Sequence, residues 1–253
     1  MRAVLQCLVV AMAAAIEMAV VTSTAVADDK ESPAKKADTQ QAQHFEREIT
    51  ITVTLNYLLY LPAGYDTDQK AWPLLVFLHG SGERGSDLEH VKVHGPPKLI
   101  AEGKQLPFIV VSPQAPRRRW DPVTLNALLD DLVLKYRVDK ERIYLTGLSM
   151  GGAGTWTLAG AYPDRFAAIV PICGGGDPAD APKLKDIPVW VFHGAKDEAV
   201  PLSRSEEMVK ALREAGAKSV GITVYPDAGH DSWTETYANP MLYEWLLRQR
   251  RGQ

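Results

Sequence analysis

The chain has 253 residues, 46% hydrophobic and 23% charged, with a formal net charge of −3 and two cysteines, Cys7 and Cys173. That length suffices for one large core but not for two domains of comparable size. The near-balanced charge gives no basis for nucleic acid or an anionic membrane as partner, and two cysteines exclude a disulfide-built fold.

The first residues read as an export signal. Arg2 supplies a positive start, Ala3 to Val21 is mostly apolar with Glu17 as an interruption, and Ala25-Val26-Ala27 is an A-x-A cleavage site ahead of Asp28. The apolar stretch is too short to span a bilayer, and no apolar region precedes Cys7 as a lipoprotein signal would need. A signal peptide over 1–27, a secreted or periplasmic location and no stable membrane anchor after cleavage are therefore expected. Cleavage would leave Cys173 alone, so no internal disulfide could form. Residues 28–43 are polar and nearly free of large apolar side chains, which predicts a disordered linker ahead of a folded domain over 44–253. No internal repeat is visible.

From Phe45 the pattern changes. Ile49-Thr50-Ile51-Thr52-Val53-Thr54 alternates with period two, as a half-buried strand does, and Tyr57 to Leu61 forms a second strand stopped by the turn cluster Pro62-Ala63-Gly64-Tyr65-Asp66. These two are expected as an antiparallel edge pair. Leu74 to Leu78 is continuously apolar, the mark of a strand covered on both faces. Further strands of that kind are predicted over Phe108–Ser112, Ile143–Thr146, Ala167–Ile172, Val189–Phe192 and Gly221–Tyr225. Helices are predicted over Leu125–Tyr136, Gly152–Ala161, Ser203–Ala215 and Pro240–Arg250. Strands alternating with helices give an α/β fold with a mainly parallel sheet and helices on both faces.

Chemistry concentrates at the ends of these strands. Arg142 to Gly152 runs from a buried strand into Gly147-Leu148-Ser149-Met150-Gly151 and on into a helix of small residues. Gly-x-Ser-x-Gly between strand and helix is the nucleophile-elbow pattern. The turn strains the serine backbone, leaves room only for glycine where chain crowds it, and sets the Met150 N–H beside Ser149 at a helix N-terminus. By composition alone the five-residue pattern arises in about one chain of this length in ten. The other strand ends decide its weight.

Val191 to Glu198 follows a strand and offers Asp197, and Tyr225 to Asp231 follows the last strand and offers His230. Singly, a loop aspartate is most often a turn residue and a loop histidine a local hydrogen-bonding group. Together with Ser149 they give the chain order Ser, acid, His of the elbow-bearing folds, each just beyond the carboxyl end of a strand, where parallel sheets gather their sites. Glu198 and Asp231 are neighbouring carboxylates that compete for the acid's role. After the third predicted strand comes His79-Gly80-Ser81-Gly82-Glu83-Arg84-Gly85. Its G-x-G-x-x-G spacing matches a dinucleotide fingerprint, but the following strand ends Val111-Ser112-Pro113 without the acidic residue that fingerprint requires. A small-residue loop there suits backbone N–H groups aimed at an oxyanion, chiefly Ser81 with Gly82 in reserve.

The chain resembles the α/β-hydrolase superfamily, and within it the secreted esterase branch labelled predicted peptidases or phospholipase/carboxylesterase-like. The resemblance rests on Leu61 to Asp66, Phe77 to Gly85, His94-Gly95-Pro96-Pro97, Arg142 to Gly152, Pro171 to Asp177, His193 to Pro201 and Gly229 to Trp233. It covers the domain from about residue 45 to 250. It implies Ser149 as nucleophile, His230 as base, Asp197 as the residue that orients it, and the Ser81 and Met150 amides as oxyanion hole. No cofactor is implied.

Trp120 and Trp233 are candidates for the substrate pocket. Glu83 and Arg84 are expected to pair and brace the oxyanion loop, Cys173 to be a small buried residue, and His79, His94 and His193 to make structural hydrogen bonds. Arg117-Arg118-Arg119 reads as a solvated loop, and no His, Cys, Asp or Glu cluster has metal-ligand spacing. The expected activity is ester hydrolysis on small-molecule or polysaccharide-linked substrates. A peptidase or an acyltransferase with the same three residues, and a non-catalytic binding module, stand as alternatives; the last would usually have lost one of the three.

Overall fold

The computed structural model describes residues 42–48, 50–117 and 119–252. The predicted signal peptide and nearly all of the predicted linker lie outside them. Residues 42–48 and 50 carry no regular element, and residues from Ile51 onward form one compact unit.

That unit is built on a seven-stranded sheet. Its strands are β1 (Tyr57–Tyr60), β2 (Trp72–Leu78), β3 (Ile109–Pro113), β4 (Val138–Leu148), β5 (Ala168–Ile172), β6 (Val189–Gly194) and β7 (Val220–Tyr225), in the order β1-β3-β2-β4-β5-β6-β7. Edge strand β1 is antiparallel to β3 and every other pair is parallel. The helices are α1 (Gly95–Ala101), α2 (Pro122–Lys135), α3 (Met150–Ala161), α4 (Ala181–Leu184), α5 (Ser203–Glu214), α6 (Trp233–Ala238) and α7 (Pro240–Leu247).

Alternation along the strands feeds two cores. Leu74, Val76 and Leu78 of β2 and Leu145 of β4 join Leu125, Leu129, Trp156, Met208 and Leu212, from α2, α3 and α5, on one face. Leu75 and Phe77 join Tyr144, Val170, Ile172 and Phe192 against Tyr237, Leu242 and Leu246, from α6 and α7, on the other. All seven residues of β2 are buried, which explains its unbroken apolar run. Burying one such side chain stabilises the fold by roughly 1.5–3 kcal/mol.

Several elements differ from the sequence expectation. Residues 50–54 form no strand, and Ile51 and Val53 are exposed. The antiparallel edge is β1 on β3, so the 50–54 alternation has no face to cover. β4 is longer than predicted because Val138 pairs with Trp72 of β2 ahead of a register shift; its polar stretch Asp139-Lys140-Glu141 carries ion pairs, with Arg142 Nε 2.7 Å from Asp139 and Arg250 2.6 Å from Glu141. Helix α1, for which no helix was predicted, opens at Gly95-Pro96-Pro97; Pro at the first helical positions costs nothing, since those N–H groups lack partners anyway. Gly95 has φ +66°, and a Cβ there would meet the Phe77 ring.

Candidate active site

Strand β4 ends at Leu148 and α3 begins at Met150, so Ser149 alone makes the turn. Its φ of 53° and ψ of −115° lie outside the ordinary regions for a side-chain-bearing residue, a strain of about 1–3 kcal/mol that the surroundings must hold. The Ser149 amide donates to the Ile172 carbonyl of the neighbouring strand at 2.9 Å, and its own carbonyl accepts from Ala153 N at 3.0 Å. The flanking glycines are there for space. A Cβ on Gly147 would lie 2.8 Å from the Leu78 carbonyl oxygen, and one on Gly151 2.7 Å from that of His79. The end of β2 against Gly151, and the Gly151 backbone folding back on position 147, thus explain both glycines of the motif.

Asp197 and His230 come from two loops at the same end of the sheet, tied to each other by backbone. Ala195 N donates to Tyr225 O and Lys196 N to Ala228 O, each at 2.9 Å, and a Cβ on Gly194 would lie 2.8 Å from the Ala228 carbonyl carbon. This crossing brings Asp197 to His230. His230 Nδ1 lies 2.7 Å from Asp197 Oδ2, and His230 Nε2 lies 2.9 Å from Ser149 Oγ. A carboxylate only accepts, so Nδ1 carries the hydrogen and Nε2 faces the serine hydroxyl with its lone pair. Asp197 Oδ1 accepts from Ala199 N and Val200 N, both at 2.9 Å. Burial works against the charged carboxylate, but the His230 hydrogen bond, the two backbone amides and the attraction of the His230 ring outweigh it. The Asp197 carboxyl is held below the usual carboxylate range.

The competing carboxylates go elsewhere. Asp231 turns to the first turn of α6, accepting from Thr234 N at 3.0 Å and Thr234 Oγ1 at 2.9 Å, while Glu198 is exposed. The Met150 amide sits at the first position of α3, where the helix dipole favours negative charge. Among the described residues neither it nor the Ser81 amide donates to a protein acceptor. Glu83 and Arg84 do not pair with each other as expected. Arg84 Nε instead donates to the Ser81 carbonyl at 2.5 Å. The nine-tenths-buried Glu83 carboxylate faces His79 and His94, each at 3.8 Å.

The two tryptophans take different places. Trp233 stands edge-on to the His230 ring, with centroids 5.3 Å apart, and also against His94. Trp120 is mostly buried. Its indole N–H donates to the His79 carbonyl at 3.2 Å, and its remaining surface lines an open cleft of about 660 Å³ with Met150, Gly154 and Thr157, beside the elbow. His79 is buried with Nε2 accepting from Ala115 N at 3.0 Å, and burial lowers its tendency to protonate.

Sequence spacing gave no ligand cluster, yet the fold brings Cys173, Asp197 and His230 ligand atoms within 4.8 Å of one another. The chemistry of the set does not suit a cation. The His230 Nδ1–H is spent on Asp197, and burial pushes the Cys173 thiol up to about 12, so it stays protonated. No linear spacing marks this neighbourhood, because its three residues follow three different strands, β5, β6 and β7.

Residues 112–241, more than half of the chain, match the family described as the dienelactone hydrolase family. Among curated proteins the chain is 27% identical over 151 residues to a bifunctional acetylxylan esterase/xylanase of Neocallimastix patriciarum, covering 56% of this chain and 22% of that one. It is 28% identical over 139 residues to poly(3-hydroxyalkanoate) depolymerase C of Paucimonas lemoignei, covering 48% and 31%. A solved thermostable esterase superposes with a TM-score of 0.68 at 36% identity, over 79% of this chain and 60% of that one. In each case the match spans less than two thirds of the relative's own length.

Proposed function

Because the chain belongs to the dienelactone hydrolase family of α/β hydrolases, we propose that it hydrolyses carboxylic esters through a Ser149–His230–Asp197 triad. The carrying observation is the unbroken chain of contacts from Ser149 Oγ to His230 Nε2 at 2.9 Å and from His230 Nδ1 to Asp197 Oδ2 at 2.7 Å. Ser149 Oγ attacks the ester carbonyl as its proton passes to His230 Nε2, forming a C–O bond and an oxyanion that the Ser81 and Met150 amides receive. Asp197 holds the imidazole tautomer and stabilises the imidazolium. Collapse of the intermediate breaks the bond to the leaving alkoxide, which takes the proton from His230. Water, deprotonated by His230, then attacks the acyl-enzyme; the acyl bond to Ser149 Oγ breaks, Ser149 takes the proton back from His230, and the acid is released.

For substrates we propose small-molecule or polysaccharide-linked esters, met outside the cytoplasm after removal of residues 1–27. The A-x-A pattern before Asp28 supports export, and two relatives named for an acetylxylan ester and a polyester support accessible acyl groups.

Ester against amide is the informative contrast. An alkoxide leaves readily, whereas an amide nitrogen must be protonated as it departs, which demands tight binding of the flanking substrate. The expected result is a kcat/KM for a short-chain ester at least about 10³-fold above that for a matched peptide amide, some 4 kcal/mol of barrier. Comparable rates on one enzyme batch would favour a peptidase instead.

A further inference from the structure

Asp197 is shared by two imidazoles. Its Oδ2 accepts from His230 Nδ1 at 2.7 Å and lies 3.1 Å from His193 Nε2. His193, near the end of β6, is 0% exposed, as is Ser205 in the first turn of α5. His193 Nε2 also lies 2.9 Å from the Val200 carbonyl oxygen. Carboxylate and carbonyl both only accept, so Nε2 bears the hydrogen. In the neutral ring Nδ1 is then the acceptor, and the Ser205 hydroxyl, 2.7 Å away, donates to it.

The terminal torsion of an aspartate is soft and roughly two-fold. Two backbone amides on Oδ1 anchor one oxygen of Asp197 and leave the other free to pivot about it. The His193 Nε2–H, given to the Val200 carbonyl, stands 3.1 Å from Oδ2, and its partial positive charge beside that oxygen restrains the pivot from a second direction. We infer that His193, with its tautomer set by Ser205, is a positioning residue for Asp197 and through it fixes the angle at which His230 is presented to Ser149. The inference rests on the triad reading. A purely structural His193 would need only the Val200 carbonyl and Ser205, and its loss would lower stability without separating kcat from KM.

Steady-state ester hydrolysis by the full chain tests this, with His193→Phe, Ser205→Ala, the double variant, His193→Gln and Asp197→Asn compared beside their melting temperatures. His193→Phe keeps a ring and removes the donor. A folded His193→Phe should lose about tenfold in kcat, with KM little changed. His193→Gln, which can extend an amide N–H to the same oxygen, should recover much of that loss. Ser205→Ala should lose less, and nothing further when His193 is already Phe. Wild-type kcat in a folded His193→Phe, additive losses in the double variant, or equal losses in Gln and Phe would overturn the inference. Should His193→Phe not fold, Ser205→Ala decides: a kcat loss that disappears in an Asp197→Asn background supports the inference, and one that persists there overturns it. A harmless Asp197→Asn would instead refute the triad itself, whereas a crippling Asp197→Asn beside a fully active His193→Phe refutes only the role of His193.

Discussion

Ser149 and Cys173 occupy matching places at the ends of adjacent strands. Leu148 of β4 and Ile172 of β5 are register partners, and the next residue in each chain has positive φ, 53° for Ser149 and 40° for Cys173. Each donates its amide to the strand on its far side, Ser149 to Ile172 and Cys173 to Phe192. A thiol is intrinsically the better nucleophile, yet here it is the buried, protonated one, with its pKa pushed up to about 12 by burial. Ser149 opens a helix and meets His230 Nε2 at 2.9 Å. Cys173 is followed by Gly174, whose backbone packs against Gly152. The strained turn is therefore common to both positions. What distinguishes Ser149 is the hydrogen bond to His230 Nε2 and its place at a helix N-terminus.

The comparison can be broken at the imidazole. Asp197→Asn should leave Ser149 in its turn but let His230 take the wrong tautomer, lowering kcat by about 10⁴, while Glu198→Gln changes little because Glu198 is exposed. The reverse pattern in ester kinetics would place the acid one residue later. The same substitution has a pH signature. Asp197's folded pKa is depressed, so it contributes stability above the ordinary aspartate value of about 3.9, and that contribution is lost as pH falls through the lower folded value. Unfolding measured against pH should lose steepness on its acid side in Asp197→Asn; an unchanged acid slope would contradict the depressed value.

A smaller effect is expected at Cys173. With a thiol pKa of about 12, roughly one molecule in ten thousand carries a thiolate at pH 8, so iodoacetamide should leave both the native thiol and esterase activity untouched. Cys173→Ala should cost about 1 kcal/mol for the small void it opens and keep kcat. Rapid alkylation with loss of activity would mean that the pocket around Cys173 is open and that the two strand ends are more alike than the structure has them.

The sheet was largely legible because burial on both faces writes itself as unbroken apolar runs, as in Leu74 to Leu78. The elbow was legible because backbone crowding against Leu78 and His79 admits only glycine at 147 and 151. Asp197 and His230 were singled out by their positions after strands, and the structure brings the two together; pattern alone could not set Asp197 above Glu198. What stayed hidden depends on contacts distant in sequence. The approach of Ser205 to His193, the nearness of Cys173 to the Asp197–His230 pair, and Arg84's turn toward the Ser81 carbonyl leave no periodic trace. The alternation at 50–54 misled because it mimics a strand where no sheet neighbour is present to pair with it.

Covalent labelling tests the central claim most directly. A fluorophosphonate should add once per chain, and peptide mapping by mass spectrometry should find the adduct on Ser149. Ser149→Ala should lose both the adduct and ester turnover, by about 10⁶ where triad members act as a unit, while Cys173→Ala labels like the parent. An adduct on any other residue, or Ser149→Ala retaining more than a few per cent of activity, would contradict the assignment of Ser149 as the nucleophile.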